Sequence, residues 1–201
     1  MLKIAHSQFW NHGFREFIAL ILRSLYMVEP ISIYVKDLNH ENKSSAFSFD
    51  NVDGHITKGE QAELENARKR MVTPCWEFSC DLYDGVKDFF IYKDNGQIGH
   101  ISWVYYRGDP NRIINLHIDE GEIKYSLTFP QFRGKGIYPA TLIKIQRYLQ
   151  ENGYKRVFIC VKVENLPSIR GIEKAGFSFV TKINLIKILG VQVNKRYATR
   201  Y

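Results

Sequence analysis

The chain has 201 residues, of which 45% are hydrophobic and 14% aromatic, and this predicts one globular domain with its own core. The net charge of +7 favours a polyanionic ligand. Because no motif concentrates that charge, a small phosphorylated ligand is preferred to nucleic acid. Three cysteines, an odd number with no signal peptide ahead of them, predict a reducing, cytoplasmic location. Neither the cysteines nor the six scattered histidines form a metal-binding pattern.

The first third of the chain predicts two helices and a strand. Residues 14–26 place apolar side chains three and four positions apart, which is typical of an amphipathic helix that packs on the domain or on a partner subunit. This segment is too short and too charged to span a membrane, and a position on a membrane surface is the alternative. Residues 31–35 alternate as a strand. Thr57 and Glu60 form a capping box, which predicts a helix that runs to about Met71.

The next segment predicts antiparallel strands. Residues 89–92 and 97–105 flank Asn95-Gly96, a pair that suits the positive φ angles of a type I′ turn, so they predict a hairpin. Residues 112–118 predict a further strand, followed by a break at Glu120-Gly121.

Residues 122–152 carry the most informative pattern. Ile123, Tyr125 and Leu127 alternate with polar residues and predict a strand. The sequence QFRGKG at residues 131–136 follows, and a helical pattern comes directly after it. A glycine turn at the start of a helix offers unpaired backbone N–H groups and the positive end of the helix dipole, which suit phosphate. A basic turn that simply begins a surface helix is the alternative.

Two motifs follow one another along the second half of the chain. Gln131–Gly136 fits the pattern Gln/Arg-x-x-Gly-x-Gly/Ala. Downstream, an apolar strand over residues 157–163 leads to Asn165, and Glu173-Lys174-Ala175-Gly176-Phe177 comes after a short helical segment. In order and separation these motifs resemble the two acyl-CoA signatures of the GNAT superfamily of N-acyltransferases. The resemblance covers residues 86–190.

The resemblance implies an α/β (α+β) fold, the GNAT fold. Its central sheet would be mixed, mostly antiparallel and of about seven strands, flanked by helices, with an extra N-terminal amphipathic helix. The two strands beside the crossover helix would splay apart to hold a pantetheine arm. Residues 1–201 would form a single domain, made of a helical extension (1–28), a variable acceptor-side region (29–85) and a CoA-binding core with the C-terminal strands (86–201).

By resemblance the co-substrate is acetyl-CoA, and no metal is expected. The pyrophosphate would lie on the backbone N–H groups of the glycine turn, and the pantetheine along the central strand. Asn165 would contact CoA or orient nearby groups, and a helix N-cap is its other interpretation. The residues expected to bind acetyl-CoA are Ser126, Leu127, Thr128, Gln131, Phe132, Arg133, Gly134, Lys135, Gly136, Ile137 and Asn165.

Acyl transfer to an amine needs a group that accepts the proton of the amine. Bases of the family often lie on or just before the central strand, where this chain has Asp119, Glu120 and Glu122. Glu120 is the first choice and His100 the second candidate, while solvated charge and a hydrogen-bonded core histidine are the structural alternatives.

This chain differs from the family pattern at the position of the acid that protonates the leaving thiolate. Many members have a tyrosine five residues before the phenylalanine of the Gly-Phe pair, and this chain has Ile172 there. The acid would then be water, Tyr125, Tyr138 or another tyrosine.

The expected activity is transfer of an acetyl group from acetyl-CoA to a primary amine of a small molecule, such as a nucleotide-linked amino sugar. The acceptor could also be a peptide or protein amine or a polyamine. A non-catalytic acyl-CoA-binding module is the alternative from another class. The expected partners are acetyl-CoA and the amine, with no nucleic acid, no integral membrane span and a plausible homodimer.

Overall fold

A computed structural model describes residues 26–39, 52, 54–188, 191–193 and 197–198. The helix predicted over residues 14–26 lies outside the described residues, except for Tyr26, which begins the first strand.

The described elements are strands and helices in mixed order. The strands are β1 (Tyr26–Asp37), β2 (Ile56–Lys58), β3 (Asp88–Asp94), β4 (Gln97–Tyr105), β5 (Ile114–Asn115), β6 (Glu120–Thr128), β7 (Arg156–Lys162), β8 (Ser178–Ile188), β9 (Val191–Gln192) and β10 (Tyr197–Ala198). The helices are α1 (Gln61–Arg70), α2 (Cys80–Asp84), α3 (Ile137–Glu151) and α4 (Leu166–Lys174), with 3₁₀ turns at Trp76–Phe78 and Pro130–Phe132.

The chain divides into two compact units. The smaller comprises residues 1–31 and 182–195, and the larger comprises residues 32–181 and 196–201. In the smaller unit β8 pairs antiparallel with β9, and Lys187 Nζ lies 2.5 Å from the Glu29 carboxylate. The candidate site lies wholly in the larger unit. The single domain over residues 1–201 stays a prediction.

The larger unit is built on a mixed, mostly antiparallel sheet. Its strand order is β2-β3-β4-β6-β7-β1-β8, where β1 and β8 contribute residues 32–37 and 178–181, and β9 extends β8 in the smaller unit. Strands β6 and β7 pair in parallel, and α3 connects them as the crossover helix. The predicted sheet of about seven strands is thus confirmed. The sequence did not predict that β1 lies between β7 and β8.

The predicted hairpin is confirmed by its geometry. Asp94 pairs with Gln97, and Asn95 and Gly96 both have positive φ angles, 48° and 75°. The strand predicted over residues 112–118 is shorter than expected, since only Ile114–Asn115 form β5, which pairs with β10.

Two predicted boundaries are wrong. Helix α1 is capped by Glu60 and not by Thr57, because Glu60 and Glu63 form the capping box. Thr57 lies in β2. The predicted break at Glu120-Gly121 is absent, since both residues pair with β7 and open β6.

The sheet separates two hydrophobic cores. On one face, Leu142 and Ile145 of α3 pack against Ile123 and Ile159. On the other face, Leu64 of α1 belongs to a second cluster with residues of β3 and β4. Trp103, Val104 and Tyr105 of β4 alternate between these cores, as expected for a strand in a two-sided sheet.

Candidate active site

A cleft opens where β6 and β7 separate. Their parallel register runs from Glu120 opposite Arg156 to Ile123 opposite Ile159, and it ends there although both strands continue. The cleft has a volume of about 580 Å³. Its walls are Ser126, Leu127, Thr128, Phe132, Arg133, Gly134, Gly136, Ile137, Tyr138, Pro139, Asn165, Pro167, Ser168, Arg170, Gly171 and Lys174. The end of β6, the start of α3 and one face of α4 therefore border one cavity.

A β-bulge in β6 changes which side chains face the cleft. Lys124 pairs with Trp103 and Leu127 pairs with Ile101, so Tyr125 and Ser126 both stand opposite Ser102. Tyr125 has a φ of 48°, in the left-handed region. The predicted strand is confirmed as part of β6, but its alternating apolar residues do not share one face, because the extra residue moves Tyr125 and Leu127 to the face opposite Ile123.

The glycine turn forms the floor of the cleft at the start of α3. Gly134 and Gly136 have φ angles of 77° and 75°, a conformation that other residues adopt only with strain. A Cβ atom at Gly134 would meet nothing within 4 Å, so the space next to this backbone is open. Arg133 Nε donates to the Thr128 carbonyl at 3.0 Å and ties the turn to β6. The backbone N–H groups of the first helical turn and its positive dipole end are thus available to an anion.

Helix α4 supplies the opposite wall of the cleft, of which the sequence predicted only Asn165. Asn165 caps this helix by accepting the Ser168 backbone N–H at 3.3 Å, so its N-cap interpretation is confirmed, and it also borders the cleft. Ser168, Arg170 and Lys174 line the cleft from the same helix. The lining residues Pro167, Arg170, Gly171 and Lys174 follow one another at helical spacings of three, one and three, which put them on one face, and this spacing is the signal that would have identified that wall.

The cleft wall is backed by a chain of polar side chains. His100 is fully buried, and its Nδ1 and Nε2 atoms lie 2.7 Å from Thr128 Oγ1 and from Ser102 Oγ. Ser102 Oγ donates to Ser126 Oγ, also at 2.7 Å. Burial lowers the pKa of His100 to about 3, so the imidazole is neutral near pH 7. His100 itself does not line the cleft, and its hydrogen bonds connect it to the wall residues Thr128 directly and Ser126 through Ser102.

The comparisons with known proteins agree with this architecture. The family model of the acetyltransferase (GNAT) domain matches residues 37–178. This chain belongs to the GNAT acetyltransferase family. Among curated proteins, none matches the sequence.

Solved structures of GNAT proteins share the fold at low sequence identity. An acetyltransferase of the GNAT family from Colwellia psychrerythraea is 14% identical with a TM-score of 0.56, covering 86% of this chain and 61% of that one. A GNAT-type N-acetyltransferase from Sphaerobacter thermophilus is 14% identical with a TM-score of 0.52, covering 92% and 60%. The glucosamine N-acetyltransferase region of a fungal multi-domain β-N-acetylglucosaminidase is 15% identical with a TM-score of 0.55, covering 86% and 22%. This chain thus spans less than two thirds of the length of each.

The acidic residues considered as bases of this GNAT protein lie away from the cleft. Glu120 is fully buried at the start of β6, where it forms an ion pair with Arg156 and accepts the His117 backbone N–H at 2.7 Å. Glu122 is also fully buried and accepts the backbone N–H groups of Ile113 and Ile114, and burial raises its pKa. The structure gives both carboxylates structural partners and brings neither into the cleft.

Asp119 is equally engaged, since its carboxylate lies 2.7 Å from Lys155 Nζ. That ion pair lowers the pKa of Asp119.

Three other candidates are also outside the cleft walls. Tyr125 packs its ring near Tyr105, with the ring centroids 5.8 Å apart, and burial raises its pKa to about 12. Gln131 and Lys135 are exposed at the outer side of the glycine turn. The structure does bring together nine of the eleven residues expected to bind acetyl-CoA, namely Ser126, Leu127, Thr128, Phe132, Arg133, Gly134, Gly136, Ile137 and Asn165.

Within the described part of the chain, no group of three or more His, Cys, Asp or Glu side chains is arranged to hold a metal ion. Within the same residues, no helix combines the length and apolar character needed to cross a membrane.

Proposed function

We propose that this protein is an N-acetyltransferase that transfers an acetyl group from acetyl-CoA to a primary amine of a small molecule, by direct attack in a ternary complex. The observation that carries the proposal is the cleft between β6 and β7, with the glycine turn of α3 at one end. Its volume of about 580 Å³ lies within the range of about 300–1,000 Å³ that is common for small-molecule sites.

The walls of the cleft suit the parts of acetyl-CoA in sequence. The pyrophosphate would accept hydrogen bonds from the N–H groups around Gly134 and Gly136, and Arg133, Arg170 and Lys174 supply positive charge around it. The pantetheine would lie along Ser126 to Thr128, where β6 no longer pairs with β7 and offers backbone groups on that side. Holding the cofactor at both ends uses binding energy to orient the thioester.

The amine must be neutral when it attacks the thioester carbonyl. Because no candidate carboxylate lies in the cleft, we infer that water in the cleft removes the proton of the amine. His100 stays a candidate base through Thr128, although its low pKa makes it a weak proton acceptor.

A nucleotide-linked amino sugar is the acceptor that we propose. The net charge of +7 favours an anionic acceptor over a polycation. An exposed aromatic pair also supports a ring-bearing substrate, since Trp76 and Tyr83 stack with centroids 4.4 Å apart and Trp76 lies 6.2 Å from Tyr125 at the bulge. Exposed aromatic faces pack well against sugar and base rings.

A second candidate function is non-catalytic binding of acyl-CoA. It is favoured by Ile172, which is fully buried in the core where many members of the family carry a tyrosine acid. The cleft itself would be the same in both cases.

Release of the CoA thiol distinguishes the two functions. The protein would be incubated with acetyl-CoA and a panel of nucleotide-linked amino sugars, polyamines and peptide amines, with thiol release followed in a coupled colour assay. Thermal melting with CoA and acetyl-CoA would be run alongside, because a ligand that binds only the folded state raises the melting temperature. We expect stabilisation by CoA and thiol release with one class of amine. Stabilisation without release from any amine would support the binding module, and no stabilisation by CoA would contradict both functions.

A further inference from the structure

We propose, on the basis of the function proposed above, that Lys124 binds a phosphate group of the acceptor and that the stacked rings of Trp76 and Tyr83 bind the base at the other end of the same molecule. Together these two contacts select an amino sugar that is linked to a nucleotide over a free amino sugar, a polyamine or a peptide amine.

Lys124 lies where the acceptor has to approach the thioester. The pairing of β6 with β7 ends at Ile123, so Lys124 is the first residue of β6 beyond the point where the two strands separate. Ile123 packs in the core under α3, whereas the Lys124 side chain extends over Tyr105, which belongs to the core on the other face. Because acetyl-CoA would enter the cleft between α3 and α4, the face that carries Lys124 is the open route for the amine.

The ammonium group of Lys124 is held in a corner between two aromatic rings. Its Nζ lies 5.2 Å from the ring centroid of Tyr105 and 5.0 Å from that of Tyr125, and it donates a hydrogen bond to the Asn111 carbonyl. The buried Asp84 carboxylate supports this corner, since it accepts the Tyr105 hydroxyl and the Asn111 side-chain amide, each at 2.6 Å. The cation–π contacts and the buried support fix the position of the positive charge.

The charge of Lys124 is not neutralised by a neighbouring acid. Among the described residues, no carboxylate lies within ion-pair distance of its ammonium group. Glu122, on the same face of β6, instead accepts the backbone N–H groups of Ile113 and Ile114. An ammonium group has three N–H donors, and the Asn111 carbonyl takes one, so donors are left for a phosphate.

A row of aromatic rings connects this corner to an exposed platform. The Trp76 ring lies 6.2 Å from that of Tyr125, and Tyr83 stacks on Trp76 with centroids 4.4 Å apart and 7° between the planes. Trp76 is 45% exposed and Tyr83 64% exposed, so ring surface remains open although the two rings stack on each other. Such surfaces bind nucleic-acid bases by stacking.

The order of these features matches the order of groups in a nucleotide-linked amino sugar. The base would stack on Trp76 and Tyr83, the phosphates would bind Lys124, and the amino sugar would lie at the cleft beside Ser126. A polyamine has no anion for Lys124 and is repelled by its charge. A free amino sugar has neither the phosphate nor the base.

The test measures binding of nucleoside diphosphates to protein that is saturated with CoA, because CoA then excludes them from the glycine turn. Uridine, cytidine, adenosine and guanosine diphosphates are titrated by calorimetry. For the diphosphate that binds, we expect Lys124→Gln to weaken the affinity about ten-fold, as for loss of one charged hydrogen bond, and to reduce its salt dependence. Lys87→Gln, which removes the charge of an exposed lysine outside the site, should leave the affinity unchanged.

The ring contact is tested with Trp76→Ala. The control is Leu82→Ala, because Leu82 is 67% exposed and precedes Tyr83 but carries no aromatic ring. We expect Trp76→Ala to weaken nucleoside diphosphate binding about ten-fold, and Leu82→Ala to leave it unchanged. Glucosamine 1-phosphate, which has a phosphate and an amine but no base, should lose affinity in Lys124→Gln and keep it in Trp76→Ala.

Four results would overturn the proposal. They are no binding of any nucleoside diphosphate to the CoA-saturated wild type, equal affinity in wild type and Lys124→Gln, equal losses in Lys124→Gln and Lys87→Gln, and unchanged affinity in Trp76→Ala. Failure of the proposed function is recognised separately, since CoA would then not stabilise the protein or no amine would release thiol. The effect of Lys124→Gln on nucleotide affinity could still be measured in that case.

Discussion

Gly134 offers the sharpest test of the phosphate cradle, through the matched pair Gly134→Glu and Gly134→Gln. Both substitutions place a side chain of the same size at a φ of 77°, so both should lose about 1–2 kcal/mol of unfolding free energy through backbone strain. Only glutamate adds a negative charge. At about 5 Å from a phosphate oxygen and an effective dielectric constant of about 20, that charge repels by about 3 kcal/mol, which is about 100-fold in Kd.

The assay is calorimetric titration with CoA at two salt concentrations. The extra loss in Gly134→Glu over Gly134→Gln should shrink in about 1 M salt, where the Debye length falls to about 3 Å. Gly153→Glu is the control, because Gly153 also has a positive φ, 81°, and open space at its Cβ, but follows the far end of α3. It should lose stability and keep its CoA affinity. Equal CoA affinity of the Glu and Gln variants at low salt would refute the cradle.

Three further predictions concern other parts of the site. Glu120→Gln removes the ion pair with Arg156, whose side chain is 21% exposed. We therefore expect the unfolding free energy to fall by about 2 kcal/mol in chemical denaturation, less than the roughly 3–5 kcal/mol lost with a fully buried pair, and kcat/KM to stay unchanged. A lower kcat with unchanged stability would restore Glu120 as a base. His100 has a folded-state pKa of about 3 against about 6.5 unfolded, so the unfolded state takes up its proton first and stability falls as the pH drops below about 6.5. Relative to His100→Gln, the wild type should lose about 2 kcal/mol between pH 7 and pH 5, and parallel pH profiles of unfolding would contradict the buried neutral imidazole. Arg170→Gln should weaken CoA binding by about five-fold and reduce its salt dependence, whereas unchanged titrations would place the phosphates elsewhere.

Local sequence patterns predicted much of the fold. Asn95-Gly96 requires positive φ angles that only a few turn types provide, so the hairpin could be predicted from two residues and their flanks. Gln131–Gly136 likewise determined a turn at the start of a helix, because glycine conformation and helix-end chemistry are local properties. For this reason most of the residues in this turn that were predicted to bind acetyl-CoA do border the cleft.

The sequence could not show which face each side chain would take in β6. Tyr125 and Leu127 leave the face of Ile123 because a bulge, opposite Ser102 of another strand, inserts one residue, and the register between strands is a tertiary property. The same bulge places Ser126 next to Ser102, so the polar chain from His100 through Ser102 to Ser126 exists only in the folded protein.

The sequence by itself determined the family, the hairpin, the glycine turn and the residues that line one side of the cleft. Only the tertiary structure decided the roles of the charged and titratable residues. Glu120 is acidic and near the central strand, but its partner Arg156 comes from a parallel strand beyond the crossover helix. Conversely, Tyr138 was one tyrosine among twelve until the structure placed its ring in the cleft wall beside Gly171. A side chain acquires its protonation state and its role from neighbours that are distant in sequence, and folding alone selects those neighbours.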